Sequence, residues 1–239
     1  MKIVDAFWEK RNLGISTTEF TIEDNDTVDG VKKILDNCTS GYQVLRLPNH
    51  LSHFLFKVQN LGFLFVEDMF SLKNDLQPIV MDRIVERLYK EISFDYMNDD
   101  DIRQLLNEVK GGMFNSDRIF VDPVFDVTCS SIRYYNWLND EIERGSLFFK
   151  NVYKGKSIGF NALKDKGNGV YDAYLGGVYP EYQKTGLGSA IFVADIVKSL
   201  GGKCVITNVS SNNTKQIRNL TQKGFYIISS CHVFIKHIM

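Results

Sequence analysis

The stretch Leu175–Ser189 reads Leu-Gly-Gly-Val-Tyr-Pro-Glu-Tyr-Gln-Lys-Thr-Gly-Leu-Gly-Ser. An apolar run ends at Pro180, which has no N–H group and therefore interrupts a strand. Gly186 and Gly188 open an apolar segment that we interpret as a helix from Gly186 to Leu200. Glycines let the chain turn and present successive N–H groups, which suit a diphosphate together with the positive end of a helix dipole. A tight turn without a ligand has the same pattern, so the motif alone leaves both interpretations open.

Two other phosphate-binding loops do not fit this stretch. A Walker A loop ends in Gly-Lys-Ser or Gly-Lys-Thr, and a Rossmann loop has a third glycine early in a βαβ unit; the sequence has neither feature. The net charge of −1 also disfavours a protein that binds nucleic acid through its phosphates, because such a protein needs surplus Lys and Arg.

Outward from this stretch, the chain alternates between helical and strand-like patterns. In the second half we predict helices at 101–109, 126–144 and 213–223, and strands at 147–153, 157–163, 170–179, 204–209 and 225–235. In the first half we predict strands at 42–47 and 63–66 and a helix at 51–61, while 79–93 fits neither pattern. The polar run Asn98–Asp101 marks a domain boundary near residue 100. We interpret it as a helix cap rather than a metal site.

Three features in this order resemble the GNAT family of N-acetyltransferases. Gln183-x-x-Gly186-x-Gly188 is similar to the family's Gln/Arg-x-x-Gly-x-Gly/Ala signature, between a strand and a helix. Asn213 stands eleven residues before Gly224, which resembles the family's later Asn…Gly-Phe segment. The resemblance implies an α+β (mixed α/β) chain with the GNAT fold, a central, mostly antiparallel twisted sheet flanked by helices. It also implies acetyl-CoA as co-substrate.

The resemblance gives roles to the residues of the loop and of the strand before it. Backbone N–H groups of the loop would hold the diphosphate of acetyl-CoA; the loop residues are Gln183, Lys184, Thr185, Gly186, Leu187, Gly188 and Ser189. Gly177, Val178 and Tyr179 would pair in β fashion with the pantetheine arm, which would enter a splay between this strand and 204–209. The Val178 N–H would also stabilise the oxyanion. Asn213 would contact the pantetheine or the adjacent helix turn.

The general acid departs from the family pattern. The family often has a Tyr seven residues after the Asn, and Leu220 stands at that position here. Leucine cannot donate a proton to a departing thiolate. Either Tyr226, Tyr182 or an ordered water substitutes, or acid catalysis contributes little, and we take Tyr226 as the catalytic candidate.

A narrower resemblance, to dTDP-fucosamine acetyltransferases, covers nearly the whole chain. It rests on short motifs at Trp8–Gly14, Leu61–Phe63 and Ser116–Pro123, and on Tyr135-x-Trp137. The resemblance implies a reduced GNAT-like domain at 1–100 and an acetyl-CoA-binding GNAT domain at 101–239. It further implies transfer of acetyl to the amino group of a dTDP-linked sugar by direct attack in a ternary complex.

Arg118 is the side chain that we predict to bind this substrate, because its planar fork suits a nucleotide diphosphate. A salt bridge to Asp117, Asp122 or Asp126 is the alternative interpretation. Two other functions remain open for the chain. One is a GNAT enzyme that acetylates a peptide or another small amine, and the other is a GNAT-fold protein that binds acyl-CoA without turnover.

The overall composition is that of a soluble protein. Hydrophobic residues make up 44% of the 239 residues, and no segment reaches the roughly 18 apolar residues that a membrane span needs. The four cysteines form no Cys-x-x-Cys pair and the four histidines have no ligand spacing, so we predict no metal site. We expect a cytoplasmic protein without membrane or nucleic-acid partners, and a homodimer as the commonest kind of oligomer.

Overall fold

A computed structural model describes residues 1–238 of the chain. Its strands are β1 (Lys2–Asp5), β2 (Thr17–Thr21), β3 (Tyr42–Pro48), β4 (Leu64–Asn74), β5 (Ile92–Tyr96), β6 (Leu147–Tyr153), β7 (Lys156–Asp165), β8 (Val170–Val178), β9 (Cys204–Ser210) and β10 (Tyr226–His237). They form one mixed sheet in the order β1-β2-β3-β10-β4-β9-β8-β7-β6-β5. Neighbours are antiparallel except β2 with β3 and β8 with β9, which confirms the mostly antiparallel sheet that the sequence predicts.

Helices connect these strands. They are α1 (Phe7–Leu13), α2 (Val28–Asp36), α3 (Leu55–Asn60), α4 (Arg83–Tyr89), α5 (Asp99–Lys110), α6 (Arg118–Val121), α7 (Val127–Glu143), α8 (Val193–Ser199) and α9 (Thr214–Gln222), with 3₁₀ turns at Asn49–Phe54, Pro180–Tyr182 and Leu187–Ala190. Alternate residues of a strand face opposite sides of a sheet. Phe148 of β6 accordingly packs with α5 and α7, and its neighbour Phe149 packs with α8 and α9. Helices therefore cover both faces of this part of the sheet.

The polar run Asn98–Asp101 caps the beginning of α5, as the sequence predicts. The Asn98 side chain accepts the Asp101 N–H at 2.9 Å, and the Asp101 carboxylate accepts the Asn98 N–H at 3.0 Å. This reciprocal pair satisfies N–H groups that the first helical turn cannot bond internally. Within residues 1–238, no group of three or more His, Cys, Asp or Glu side chains is placed to hold a metal ion.

Strands from both halves of the chain are neighbours in the sheet. The last strand, β10, lies between β3 and β4, and β4 in turn pairs with β9. At the opposite edge, β5 pairs with β6. The boundary near residue 100 stays a prediction for the domain organisation, but the hydrogen-bonded sheet runs across it.

Most predicted elements of the second half are confirmed, and one is wrong in an important part. The predicted helix from Gly186 to Leu200 is interrupted. A 3₁₀ turn ends at Ala190, Ile191 and Phe192 are extended, and α8 begins only at Val193. None of the helices in residues 1–238 is both long and apolar enough to cross a membrane.

Candidate active site

A cleft opens where β8 and β9 separate. The two strands pair in parallel through 170–172 and 204–206, and their pairing then ends. Thr207 Oγ1 donates to the Ala173 carbonyl oxygen at 2.8 Å, so a side-chain hydrogen bond bridges the strands at the point of separation. Beyond this bridge lies a cavity of about 510 Å³, which we call the β8–β9 cleft. The splay that the resemblance implied between these strands is therefore present.

The edge of β8 along this cleft carries backbone donors. The Tyr179 N–H donates to the Ile158 carbonyl oxygen of β7 at 2.9 Å. Because N–H groups of successive strand residues point to opposite edges, those of Val178 and Gly176 point away from β7 and into the cleft. An unpaired N–H at a strand edge can bond an extended ligand or a developing negative charge.

Two glycines let the loop and β7 pack closely against β8. A Cβ at Gly159 of β7 would stand 2.3 Å from the Gly177 carbonyl oxygen, so no larger residue fits there without moving the strand. A Cβ at Gly188 would stand 3.2 Å from Val178 Cγ2. The second glycine of the sequence motif therefore lies against the last residue of β8, at the mouth of the cleft.

Hydrogen bonds within the loop fix its shape. Gln183 Nε2 donates to the Val178 carbonyl oxygen at 3.4 Å, and Thr185 Oγ1 donates to the Tyr182 carbonyl oxygen at 2.6 Å. Ser189 Oγ donates to the Gly186 carbonyl oxygen at 2.6 Å. Lys184 and Gly186 both have positive φ, of 65° and 86°, which is the conformation that favours glycine at the second position. The loop residues predicted to bind the cofactor thus form one turn at the mouth of the cleft.

The backbone at the interruption before α8 is bonded by Lys223, a residue that the sequence patterns did not single out. Lys223 Nζ donates to the carbonyl oxygens of Gly188 at 2.7 Å and Ile191 at 2.5 Å. In a continuous helix these oxygens would accept N–H groups four residues later. The ammonium group instead bonds both acceptors, and the segment is a 3₁₀ turn followed by the extended residues Ile191 and Phe192.

The opposite wall of the cleft includes α9 and the residues just before it. Asn213 lines the cleft and caps α9, since its side chain accepts the Gln216 N–H at 3.2 Å. Leu220 lines the same cavity, so an apolar side chain occupies the position where the family often has a Tyr. Asn213 is in place for its predicted contact with a ligand or with the helix turn.

Neither tyrosine proposed as a substitute acid is among the residues that line the cleft. Tyr226 is 46% exposed, and its Oη donates to Asp75 Oδ2 at 2.6 Å, near the beginning of β10. Tyr182 belongs to the 3₁₀ turn after Pro180 and packs against the cluster around α5 and α7. The structure therefore brings Val178, the glycine loop and Asn213 together and leaves Tyr226 apart.

Comparison with solved structures identifies the architecture. A conserved protein of unknown function from Staphylococcus epidermidis ATCC 12228 matches with a TM-score of 0.61 at 16% identity, over 94% of this chain and 85% of that one. A GCN5-related N-acetyltransferase from Sphaerobacter thermophilus matches with a TM-score of 0.59 at 15% identity, over 87% and 65%. A tandem GNAT protein from the clavulanic acid biosynthesis pathway matches with a TM-score of 0.51 at 13% identity, over 82% and 64%. The chain has the GNAT fold.

Identities this low establish the fold and leave the activity to be argued from the site. No protein-family model matches the sequence, and no curated protein matches it. The three similar structures do not include a dTDP-fucosamine acetyltransferase by name, so the narrower resemblance gains no support from them.

On the far side of the GNAT fold's cleft, Arg118 has different partners from those the sequence suggested. Its Nη2 lies 2.8 Å from Glu19 Oε1 and 3.3 Å from Glu9 Oε1, and the side chain is 8% exposed. The alternative interpretation, a salt bridge to Asp117, Asp122 or Asp126, is wrong in its partners, because α6 points the guanidinium toward α1 and β2. Arg118 also lines the cleft, and its contact with a substrate stays a prediction. Burial raises the pKa of Glu19, but Arg118 and Arg46 outweigh it and hold that pKa at about 2.

Glu67 is a carboxylate of the cleft that the sequence analysis missed. It lies on β4, its residue is 3% exposed, and Ser210 Oγ of β9 donates to its Oε2. Burial raises the pKa of Glu67 above the ordinary 4.5, although the Ser210 hydrogen bond acts in the opposite direction. One sequence signal was present, the acidic pair Glu67–Asp68 inside the otherwise apolar run Phe63–Phe70.

A second cavity of about 780 Å³ adjoins the cleft between α1 and α7. Arg133 and Trp137 line both cavities. Trp8 and Phe7 add aromatic surface to the second cavity, and Arg46 adds charge. The GNAT fold here thus offers a long cleft that ends at the glycine loop and a separate approach from the other side.

Proposed function

We propose that this protein is an acetyl-CoA-dependent N-acetyltransferase that acts on a small primary amine. The observation that carries the proposal is the cleft that opens where β8 separates from β9. One side of this cleft is a strand edge with unpaired N–H groups, and the glycine loop lies at its mouth. A long, thin thioester with an anionic end fits a cleft of this shape, because the edge bonds an extended arm and the loop bonds phosphate.

The residues present suit acetyl-CoA on structural grounds. The N–H of Val178 points into the cleft, and the missing Cβ of Gly188 lets the loop approach β8 closely. We assign the diphosphate to the loop residues from Gln183 to Ser189, and the pantetheine arm to Gly177–Tyr179 and Asn213. Acetyl-CoA would supply an activated acetyl group as its thioester.

The chain's own groups then divide the remaining tasks. The Val178 N–H donates a hydrogen bond to the oxygen on which negative charge develops. The Glu67 carboxylate accepts a proton from the amine, either directly or through a water, because burial leaves it more basic than an exposed carboxylate. CoA leaves as the thiolate, which takes a proton from water. The cavity between α1 and α7 gives the amine an approach that the acyl donor does not occupy.

For the acceptor, a nucleotide-linked amino sugar is the narrower proposal, and it rests on the sequence resemblance. Arg118 was its predicted diphosphate contact, and this guanidinium pairs with Glu19 and Glu9 instead. A peptide or another small amine is therefore an equal candidate for the test. The cytoplasmic location and the homodimer also stay as proposals from the sequence.

Leu220 favours one alternative, a GNAT-fold protein that binds acyl-CoA without turnover. A leucine in the cleft cannot protonate a thiolate, and Tyr226 is hydrogen-bonded to Asp75 outside the cleft lining. In that case the protein would bind acetyl-CoA and release no CoA with any amine.

The test begins with calorimetric titration of the full chain with acetyl-CoA, followed by dTDP added to the complex. We expect micromolar binding of acetyl-CoA. Release of free thiol is then followed with dTDP-amino sugars, peptides and polyamines as separate panels. Absence of acetyl-CoA binding by folded protein would overturn the proposal, and binding without thiol release from any panel would favour the non-catalytic alternative.

A further inference from the structure

Lys223 is a buried cation at the loop end of the β8–β9 cleft. The residue is 8% exposed and lines the cleft, and its Nζ lies 5.1 Å from the centre of the Phe192 ring. Two of its three N–H groups are used by the carbonyl oxygens of Gly188 and Ile191. Among residues 1–238, the third N–H has no acceptor within hydrogen-bonding distance.

Lys223 differs from the other cationic side chains of the cleft because no carboxylate of residues 1–238 pairs with it. Of the Lys and Arg side chains that line the cleft in residues 1–238, Arg118, Arg133 and Lys164 each form a salt bridge with a carboxylate. Lys223 forms none within 4.0 Å among these residues. A buried ammonium without an anion is costly, and a positive charge in this position attracts an anionic ligand.

The carboxylates on neighbouring elements are already engaged. Asp195 of α8 accepts a hydrogen bond from Tyr89 Oη at 2.9 Å. Asp75, which follows β4, bonds Lys73 at 2.7 Å and Tyr226 at 2.6 Å. Burial lowers the pKa of the Lys223 ammonium to about 7, and no neighbouring carboxylate raises it. An anion bound beside Nζ would raise that pKa again.

We propose that Lys223 binds the phosphate groups of the acyl donor directly, a role that rests on the proposed function. The sequence motif predicts that a helix dipole at Gly186 attracts the diphosphate, but the helix is interrupted and α8 begins seven residues later, at Val193. The ammonium of Lys223 supplies positive charge at this position instead. It also holds the loop in place through Gly188, so it combines anion binding with positioning of the loop.

Binding measurements on truncated ligands test this role. Dephospho-CoA contains the diphosphate, and pantetheine contains the same arm without it. We expect Lys223→Met to weaken dephospho-CoA binding about tenfold or more, as loss of a charged hydrogen bond would, and to leave pantetheine binding unchanged. Lys203→Met, an exposed lysine outside the cleft lining, is the matched control and should change neither affinity.

A second measurement uses the unaltered protein, in case Lys223→Met does not fold. Near pH 8 the Lys223 amine is mostly neutral if its pKa is about 7, and binding of a diphosphate favours its charged form. Calorimetry of dephospho-CoA in buffers of different ionisation enthalpy should then detect proton uptake approaching one per site. Pantetheine should cause none.

Each result has one meaning. If Lys223→Met binds dephospho-CoA as tightly as the wild type does, the role of Lys223 is overturned and the proposed function stands. The same conclusion follows if the wild type binds dephospho-CoA without taking up a proton. Equal weakening of both ligands would also overturn it, because Lys223 would then only support the shape of the cleft. If the wild type binds neither CoA nor acetyl-CoA, the proposed function and this inference both fail.

Discussion

Glu67 combines burial, a raised pKa and a place in the cleft, and it is the residue on which proton transfer from the amine depends in our proposal. We expect Glu67→Gln to lower kcat about 100-fold, because general bases contribute roughly two to four orders of magnitude. In the wild type, kcat should rise with pH as Glu67 loses its proton, with an apparent pKa above the ordinary 4.5 of a glutamate. The variant should lose that rise.

Asp68→Asn is the matched control for this change. Asp68 is the next residue on β4, does not belong to the cleft lining and bonds His232 Nδ1 at 2.6 Å. Its replacement should leave kcat within about threefold, since it removes a similar charge from the other face of the strand. A pH–rate profile of Glu67→Gln identical to that of the wild type would remove Glu67 as the base.

Glu9 shows how a buried carboxylate can be structural rather than catalytic. It is fully buried and accepts hydrogen bonds from Arg118, Arg133 and Asn12. Glu9→Gln leaves the buried guanidinium of Arg118 and the partly buried one of Arg133 short of a counter-charge and should lower the free energy of unfolding by about 3 kcal/mol. Asp140→Asn, which breaks the exposed pair with Arg11, should cost about 1 kcal/mol or less. Urea denaturation of both variants measures the difference, and equal costs would contradict the role given to Glu9.

The same cluster predicts a dependence of stability on acid. Arg118 and Arg46 hold the pKa of Glu19 at about 2 in the folded protein, against an ordinary 4.5. A lowered folded pKa gives stability that is fully present above pH 4.5 and is lost as the pH falls toward 2. We expect the free energy of unfolding to fall in this window by about 3 kcal/mol more in the wild type than in Glu19→Gln. Parallel curves for the two proteins would contradict the prediction.

At the scale of elements, the glycine loop is a turn held by its own hydrogen bonds and by Lys223. Gly186 has a φ of 86°, and an added Cβ would be only in ordinary contact with Leu88, at 3.9 Å. Gly186→Ala should therefore cost about 1 kcal/mol of backbone strain and should also weaken acetyl-CoA binding, since the turn must change its conformation.

Gly201→Ala separates these two effects. Gly201 has a φ of 73° just after α8, has open space around its Cβ position and does not line the cleft. The strain should be similar, with acetyl-CoA affinity unchanged in calorimetry. Weakening of acetyl-CoA binding by both variants to the same extent would mean that general instability, and not the loop, causes the loss.

Elements with local signals were predictable from the sequence. The cap at Asn98 and the Asp126 cap of α7 specify where helices begin, and the Lys154–Gly155 turn specifies the hairpin of β6 and β7. The segment 79–93 was not assigned because it holds only a helix of about two turns, α4, and the beginning of a short edge strand, β5. The interruption before α8 was also missed, since it depends on a lysine more than thirty residues away along the chain.

At the scale of the whole molecule, strands from both halves alternate in the sheet. β4 lies between β10 and β9, so residues 101–239 alone would leave β10 without either of its neighbours and β9 without its antiparallel partner. Unpaired strand edges expose backbone groups and favour aggregation. We expect fragments 1–100 and 101–239 to be unstable separately and to recover a common fold when they are coexpressed.

Thermal unfolding of the full chain should accordingly be one cooperative transition. Circular dichroism of each fragment and of the copurified pair provides the measurement. A folded, monomeric 101–239 fragment that binds acetyl-CoA would contradict the prediction and would favour two independent domains with a boundary near residue 100.

The sequence by itself determined the strand before Pro180, the glycine loop and the positions of Leu220 and Asn213, while its resemblance to GNAT proteins implied the mixed α+β fold. These features depend on residues close together in the chain, where propensity, capping and turn chemistry act directly. The tertiary structure alone decided that Arg118 pairs with Glu19, that Glu67 faces the cleft and that Lys223 interrupts a helix. In each case the partners are far apart in sequence, and only the arrangement of the sheet brings their side chains into contact.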